Sequence, residues 1–195
     1  MEVRYLKAEE SIKILELNLE TVDSQASTII KAMELNPKLS VQILTLNPFS
    51  KFAENRANQL AELPLIYRRR LYQTIESTYN KLNTISQKRW EIRIYDTFPT
   101  QIMFQIDKAL INSIISLGRR SRDMLHFEVQ ASRPNASDTF EAHFAQLWSQ
   151  GVDYKEWFKR NRKDVVDLLE TGNSESTHMQ RRQRISQNNK IIKKA

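Results

Sequence analysis

The chain contains no cysteine, which excludes disulfides, thiolate metal sites and a cysteine nucleophile, and fits an intracellular protein. Glycine is nearly as scarce: only Gly118, Gly151 and Gly172 occur, and no two lie close together. A P-loop or a dinucleotide-binding fingerprint needs several glycines within about eight residues, because the backbone must approach the phosphates without a Cβ in the way. Both are excluded, and so is the Gly-x-Ser-x-Gly nucleophile elbow. The three histidines, His126, His143 and His178, show no i, i+4 spacing, which argues against a helix-borne zinc site. No apolar run approaches the roughly 18 residues of a membrane span, and charges occupy residues 1–10 where a secretion signal needs apolar side chains. The expectation is a soluble, cytoplasmic protein with no cofactor, no metal and no membrane partner.

The formal charge of +7 is concentrated at one end. Residues 173–195 hold six cations, Arg181, Arg182, Arg184, Lys190, Lys193 and Lys194, against the single acid Glu175, which gives +5 and leaves +2 for the other 172 residues. At 195 residues the chain has room for one well-buried domain and a short extension. The reading is one domain over residues 1–170 followed by a basic, disordered tail over 171–195, too poor in apolar residues to bury much surface.

Within the domain, the periodicity alternates between strand and helix. Residues 11–20 (SIKILELNLE) alternate Leu15, Leu17 and Leu19 with polar residues and predict a strand with one buried face. Asp23 or Ser24 then caps a helix carrying Ala26, Ile29, Ile30 and Met33 on one face, stopped by Asn36-Pro37. Residues 39–46 predict the next strand, ended by Asn47-Pro48, so a parallel, right-handed strand–helix–strand unit is expected. Residues 50–88 read as helix interrupted at Pro64, with Leu60 and Ala61 on one face before the break. Tyr67, Leu71, Ile75, Tyr79 and Leu82 share a face after it. Arg68, Arg69 and Arg70 span about 200° of that helix and read as a solvated face.

Further strands are expected at 91–95, 103–107, 110–117 and 125–129, the last with Leu125, Phe127 and Val129 on one side and His126 and Glu128 on the other. Capping boxes at Asp138/Glu141 and Asp153/Glu156 introduce two helices. Their apolar stripes, Phe140, Phe144, Leu147 and Trp148 in the first and Trp157, Phe158, Val165, Val166, Leu168 and Leu169 in the second, read as core.

Residues 90–107 (WEIRIYDTFPTQIMFQID) place a strand, a turn and a second strand around Asp107. With residues 43–50 (ILTLNPFS), Arg56-Ala57, residues 92–97 (IRIYDT), His143-Phe144 and Leu147-Trp148, the order resembles divergent bacterial phospholipase D-like domains over about residues 10–150. The resemblance implies a phospholipase D-like mixed sheet with a parallel strand–helix–strand start, flanked by helices. It also implies pairing of two motifs across a twofold axis, hence a homodimer. That family's signature is His-x-Lys, then Asp after four further residues: one histidine forms a phosphohistidine, the other supplies the proton, and the lysines hold the phosphate. With Asp107 in the Asp position, Thr100 and Ile102 stand where the His and Lys belong, so the resemblance implies a catalytically degenerate module.

Other residues at strand ends are candidates for chemistry. Asp96, Asp107 and His126 form the alternative set for a rebuilt phosphodiester hydrolase or nuclease site, since a carboxylate near a histidine permits general-base work. Arg93, Asp96, Asp107, Lys108, His126 and Glu128 are the candidate ligand-binding residues. Arg119, Arg120 and Arg122 on a loop, with the six cations of the tail, are the candidate nucleic-acid residues. Against these stand plainer readings: Asp96 before Thr97 and Pro99 suits a turn, His126 and Glu128 suit a solvent-facing strand side, and loop arginines are commonly just exposed. The functional expectation is a recognition or sensor module, an accessory subunit in bacterial regulation or defence, with nucleic acid or another protein as partner. A structural oligomerisation module is the third reading.

Overall fold

Strand β1 (Ser11–Leu15) forms where alternate β-branched residues, Ile12 and Ile14, are both fully buried. It pairs in parallel with β2 (Ser40–Leu46) across helix α1 of the crossover, Glu20–Leu35, and β2 pairs in parallel with β3 (Trp90–Tyr95) across two helices, α2 (Lys51–Gln59) and α3 (Pro64–Leu82). A short N-terminal helix, Glu2–Leu6, precedes β1 and is called αN. On the other side of β1 the sheet turns antiparallel, through β4 (Gln101–Ile106), β5 (Ala109–Ile114) and the edge strand β6 (Phe127–Val129). Helix α4 (Pro134–Gln150) leads to β7 (Val152–Asp153), antiparallel to β3 at the opposite edge, and then to α5 (Tyr154–Arg160) and α6 (residues 162–171). The product is an open seven-stranded mixed sheet, in the order β6-β5-β4-β1-β2-β3-β7, flanked by helices. The structure is a computed structural model, and it describes residues 2–85, 89–116, 118–119, 124–129 and 134–171. Of the expected tail at 171–195, only Thr171 is among them.

The register separates the two faces of the sheet. Ile12, Ile14, Val41, Ile43, Ile92 and Phe104 point to one core, which αN, α1, the C-terminal part of α3, α5 and α6 cover through Tyr5, Ile29, Ile75, Trp157 and Leu168. Leu15, Leu44, Tyr95 and Met103 point to the other, covered by Ala53 and Ala57 of α2, Tyr67 and Leu71 of α3, and Phe144 and Leu147 of α4. This second face is half polar. Gln105, Lys13, Gln42 and Glu91 stand side by side across β4, β1, β2 and β3. Helix α4 answers that row with polar contacts: Glu141 accepts from Gln105 Nε2 at 2.6 Å and lies 3.9 Å from Lys13 Nζ. At its far end the Arg93 guanidinium stacks 4.6 Å from the Trp148 ring centroid and donates to the Trp148 carbonyl at 2.8 Å. Gly151 follows, and a Cβ there would meet Arg93 Cβ at 3.1 Å and Leu44 Cδ2 at 3.2 Å, so the close approach of this turn to the sheet leaves little room for a side chain.

Several sequence expectations are corrected. The first strand stops at Leu15, and residues 16–19 turn into α1 at Glu20, with Leu19 itself left-handed at φ 50°; Asp23 and Ser24 lie inside the helix. Leu15, Leu17 and Leu19 are all buried, but by loop and strand together. Asp138 also lies inside its helix, which begins at Pro134, whereas Asp153 does cap α5 by accepting from the Lys155 amide at 2.9 Å. Arg68 and Arg70 are half-buried and ion-paired. Arg68 meets Glu54 at 2.9 Å, and Arg70 meets Glu62 at 2.8 Å and Glu20 at 3.4 Å, joining α1 to α3. In β6 the alternation is correct but neither side is well buried: Leu125, just before the strand, is 85 % exposed and Phe127 41 %, Val129 on the same side is only partly buried, and Glu128 on the other side is exposed and pairs with Arg4 of αN at 2.8 Å. Val166 of α6, expected in the core, is 44 % exposed.

Asp107 follows β4 directly and takes a left-handed backbone, φ 49°, in the turn to β5. Its amide donates to the Ser11 carbonyl at 2.9 Å, and its carboxylate accepts from the amides of Glu9, Glu10 and Ser11 at 2.9, 2.8 and 2.9 Å. Burial alone would raise its pKa, but the three amides together outweigh that and hold it below the usual carboxylate range. Stability from this clamp is therefore present above the ordinary carboxylate pKa and is lost as the pH falls through the lowered folded-state value. Replacing Asp107 with Ala strands these amides and should cost about 2 kcal/mol in urea unfolding; a change below about 0.5 kcal/mol would contradict the clamp.

Candidate functional site

Open α/β sheets place ligand crevices beyond the C-terminal ends of their parallel strands, here the ends of β1, β2 and β3. Each strand end is occupied by a polar side chain in a structural role. Beyond β2, Asn47 Oδ1 accepts from the Phe49 amide at 3.0 Å and from Trp157 Nε1 at 3.2 Å, while its Nδ2 donates to Asp96 Oδ2 at 3.2 Å. Asp96, at the end of β3, is thus an exposed partner of a hub that ties β2, β3 and α5 together. Trp157 adds a stacked contact with Phe49, 5.7 Å between centroids.

Beyond β1 lies Glu16, fully buried. Its carboxylate accepts from the amides of Thr21 and Val22 at 3.1 and 3.2 Å, so it caps α1 where the residue before the helix, Leu19, has no side-chain oxygen to offer. Burial pushes its pKa up to about 7, against the opposing pull of those amides. Sequence reasoning missed this residue, although a glutamate between two buried leucines, in the run LEL, was the available signal.

The expected catalytic set does not assemble. Asp107 sits at the N-terminal end of β1 and Asp96 beyond the C-terminal end of β3, so the two carboxylates lie at opposite ends of the sheet. His126 precedes β6 at one edge, with four strands between it and β3. His126 Nδ1 shares a hydrogen bond with Ser113 Oγ, but Ser113 is fully buried and unavailable as a nucleophile. Among the described residues, no group of three His, Asp or Glu could hold a metal ion. Ile102, in the lysine position of the resemblance, is 1 % exposed and points into the first core, while Thr100 is exposed beside a cleft under α2.

The ligand-binding candidates are equally dispersed. Arg93 pairs with Glu91 at 2.7 Å and holds α4, Glu128 pairs with Arg4, and Lys108 is exposed at the tip of the Asp107 turn. The Arg119 carbonyl accepts from the buried guanidinium of Arg56, and Arg120, Arg122 and the tail cations Arg181, Arg182, Arg184, Lys190, Lys193 and Lys194 lie outside the described residues.

No protein-family model and no curated protein matches this sequence. Among solved structures, the fold is similar to that of TrmBL2, described as an archaeal chromatin protein that shows a novel mode of DNA binding. The identity is 15 % and the TM-score 0.46, over 77 % of this chain and 47 % of that one, so this chain spans about half the length of TrmBL2.

A second cationic surface is absent from the sequence reading. Tyr154, Trp157, Val165 and Leu168 bury one side of α5 and α6. Lys155, Lys159, Arg162 and Lys163 are exposed around the opposite side, and among the described residues no carboxylate pairs with Lys159, Arg162 or Lys163. Arg160 pairs with Glu156 one turn back. The signal was present in KEWFKRNRK, where cations recur on the side away from the buried aromatics. Asp164, Asp167 and Glu170 follow, so α6 carries its cations first and its acids later, the reverse of what the helix dipole favours.

The Glu16 carboxyl has a measurable consequence. Its folded-state pKa, about 7, lies above the ordinary 4.5, so the folded protein holds the proton longer, and this group's contribution to stability falls as the pH rises from about 4.5 through about 7. Relative to Glu16→Gln, which cannot ionise, the wild-type protein should lose about 2 kcal/mol between pH 5.5 and 7.5. A constant difference between the two across that range would show that Glu16 does not titrate there.

Proposed function

We propose that this chain is a phospholipase D-like module without the hydrolytic chemistry, which works by recognition and binds nucleic acid. The observation that carries the reading is the exposed set Lys159, Arg162 and Lys163 on the solvent side of α5 and α6, with which no carboxylate pairs among the described residues, together with the six cations that the sequence carries in residues 173–195. Phosphate backbones would be held by charge alone, weakly and without preference for sequence. The strand order supports the family reading, and Thr100 and Ile102 in place of His and Lys support the loss of phosphoryl transfer. Cytoplasmic work as a sensor or accessory subunit in bacterial regulation or defence is the setting that the resemblance implies.

Salt dependence tests the charge argument. Six tail cations neutralise at most about six phosphates, a slope of log affinity against log salt no steeper than about −5; adding Lys159, Arg162 and Lys163 steepens it to about −8. Lys159→Glu with Arg162→Glu should return the slope toward about −5, and deletion of residues 173–195 should leave a shallower slope of about −3. The DNA should be recovered intact in the presence of a chelator. A slope unchanged by the double substitution, or metal-independent cleavage lost in Asp107→Asn, would overturn the reading.

A homodimer is the second reading. The edge strand β6 and the end of β5 leave Leu125, Phe127 and Ile114 exposed on one side of the sheet, an apolar edge that a second copy of the chain would cover. Light scattering at micromolar concentration should give a mass near twice the 23.0 kDa of one chain. Leu125→Glu should return it to one chain, and a monomeric wild-type protein would remove this reading while leaving nucleic-acid binding untouched.

A further inference from the structure

Helix α2 lies over the upper ends of β4 and β5, and between them the structure leaves a cleft of about 400 Å³. That volume is within the range of small-molecule sites, roughly 300–1,000 Å³. Its walls are apolar and flat. Phe52 from α2 and Phe98 from the loop before β4 stand edge to face, with centroids 6.0 Å apart and planes at 82°, and Pro99, Ile114 and Ile115 complete the enclosure. Phe98 is 57 % exposed and Ile114 65 %, large apolar side chains held at the rim with nothing over them among the described residues.

The charge inside is one-sided. Arg56 lines the cleft and is 2 % exposed, and its guanidinium donates to Gln59 Oε1 at 2.9 Å, to the Ser116 carbonyl at 3.0 Å and to the Arg119 carbonyl. All three acceptors are neutral. The tyrosine beside it, Tyr67, is buried and neutral too. Arginine does not shed its proton to escape burial, so a full positive charge stands at the wall of the cleft, with no carboxylate bonded to it among the described residues. Among the described residues no Asp or Glu lines the cleft; its other polar groups, Asn55, Gln59 and Thr100, are uncharged. A second cation, Lys51, sits with Nζ 5.2 Å from the centroid of the Phe52 ring.

Flat apolar walls and an uncompensated cation define the complement. We infer that the cleft binds a small amphiphilic anion, an aromatic or similarly flat body bearing one carboxylate, sulfonate or phosphate group. The ring lies between Phe52 and Phe98, and the anionic group faces Asn55, Gln59 and the field of Arg56. This site is independent of the cationic surface of α5 and α6, and it does not depend on the nucleic-acid reading.

Two fluorescent probes on the full chain test it: 8-anilinonaphthalene-1-sulfonate, a flat aryl anion, and N-phenyl-1-naphthylamine, nearly the same body without the charge. The sulfonate should bind saturably, one per chain. Phe98→Ala removes a wall at an exposed position and should weaken both probes by about tenfold. Asn55→Asp puts a negative charge on the exposed face of α2 at the cleft and should weaken the sulfonate by about tenfold while leaving the neutral probe within about twofold. Leu35→Ser, at an exposed apolar position near the end of α1 and away from the cleft, should change neither. Thermal melts that remain cooperative at wild-type temperature establish that each variant is folded. Non-saturable binding, loss of the probe in Leu35→Ser in place of Phe98→Ala, or equal weakening of both probes by Asn55→Asp would each overturn the inference.

Discussion

The fold turns on the seam at β1, where a parallel half of the sheet meets an antiparallel half. A strand in that position must satisfy two ladders of different geometry at once, parallel with β2 and antiparallel with β4, so its starting residue has to be fixed. A slip of one residue would turn Ile12 and Ile14 out of the first core. The Asp107 side chain gathers the three amides leading into β1, and its own amide closes onto Ser11, so the turn at the end of β4 sets where β1 begins. The left-handed backbone at Asp107 is one of the few conformations that aims a carboxylate back at the preceding strand pair, and aspartate tolerates it better than most residues. A residue that resembles the last member of a catalytic motif therefore has a sufficient structural reason to be aspartate.

Where local pattern decided the outcome, the sequence was legible. The parallel opening, the break at Pro64, the helical faces of α3 and α4 and the cap at Asp153 all follow from spacing that involves neighbours only. What escaped reading depends on partners outside the element itself. Helix α1 is capped at its start by Glu16 from the end of β1. At its end Arg89, just before β3, donates to the carbonyls of Met33, Asn36 and Leu39 at 2.7, 2.8 and 3.0 Å. The first cap left only a faint trace, a glutamate inside an apolar run, and the second, between residues 50 to 56 positions apart, left none. The scarcity of glycine has the same effect: Leu19, Ala61 and Asp107 occupy left-handed positions that glycine usually marks, so these turns carry no punctuation. Of the candidate site, the residues were visible but not their separation, because which end of the sheet a strand terminus occupies depends on the order of all seven strands.

The basic residues divide by chemistry. Arg56, Arg70, Arg89 and Arg93 are all drawn inward, each using its planar fork to hold two or more segments together. The exposed side of α5 and α6 instead carries mostly lysine, whose strongly hydrated ammonium gains little from such fixed geometry. Counting cations along the chain therefore overstates how many are presented on the folded surface.

The edge strand β7 is only two residues long and passes straight into α5, with Asp153 both paired to Arg93 in the sheet and capping the helix. There is no linker in which the helix could swivel. The cationic surface is consequently geared to the sheet edge: a load applied to Lys159 or Arg162 is transmitted through Trp157 and Asn47 to the ends of β2 and β3, and the helix can tilt only by breaking the pair that ends the sheet.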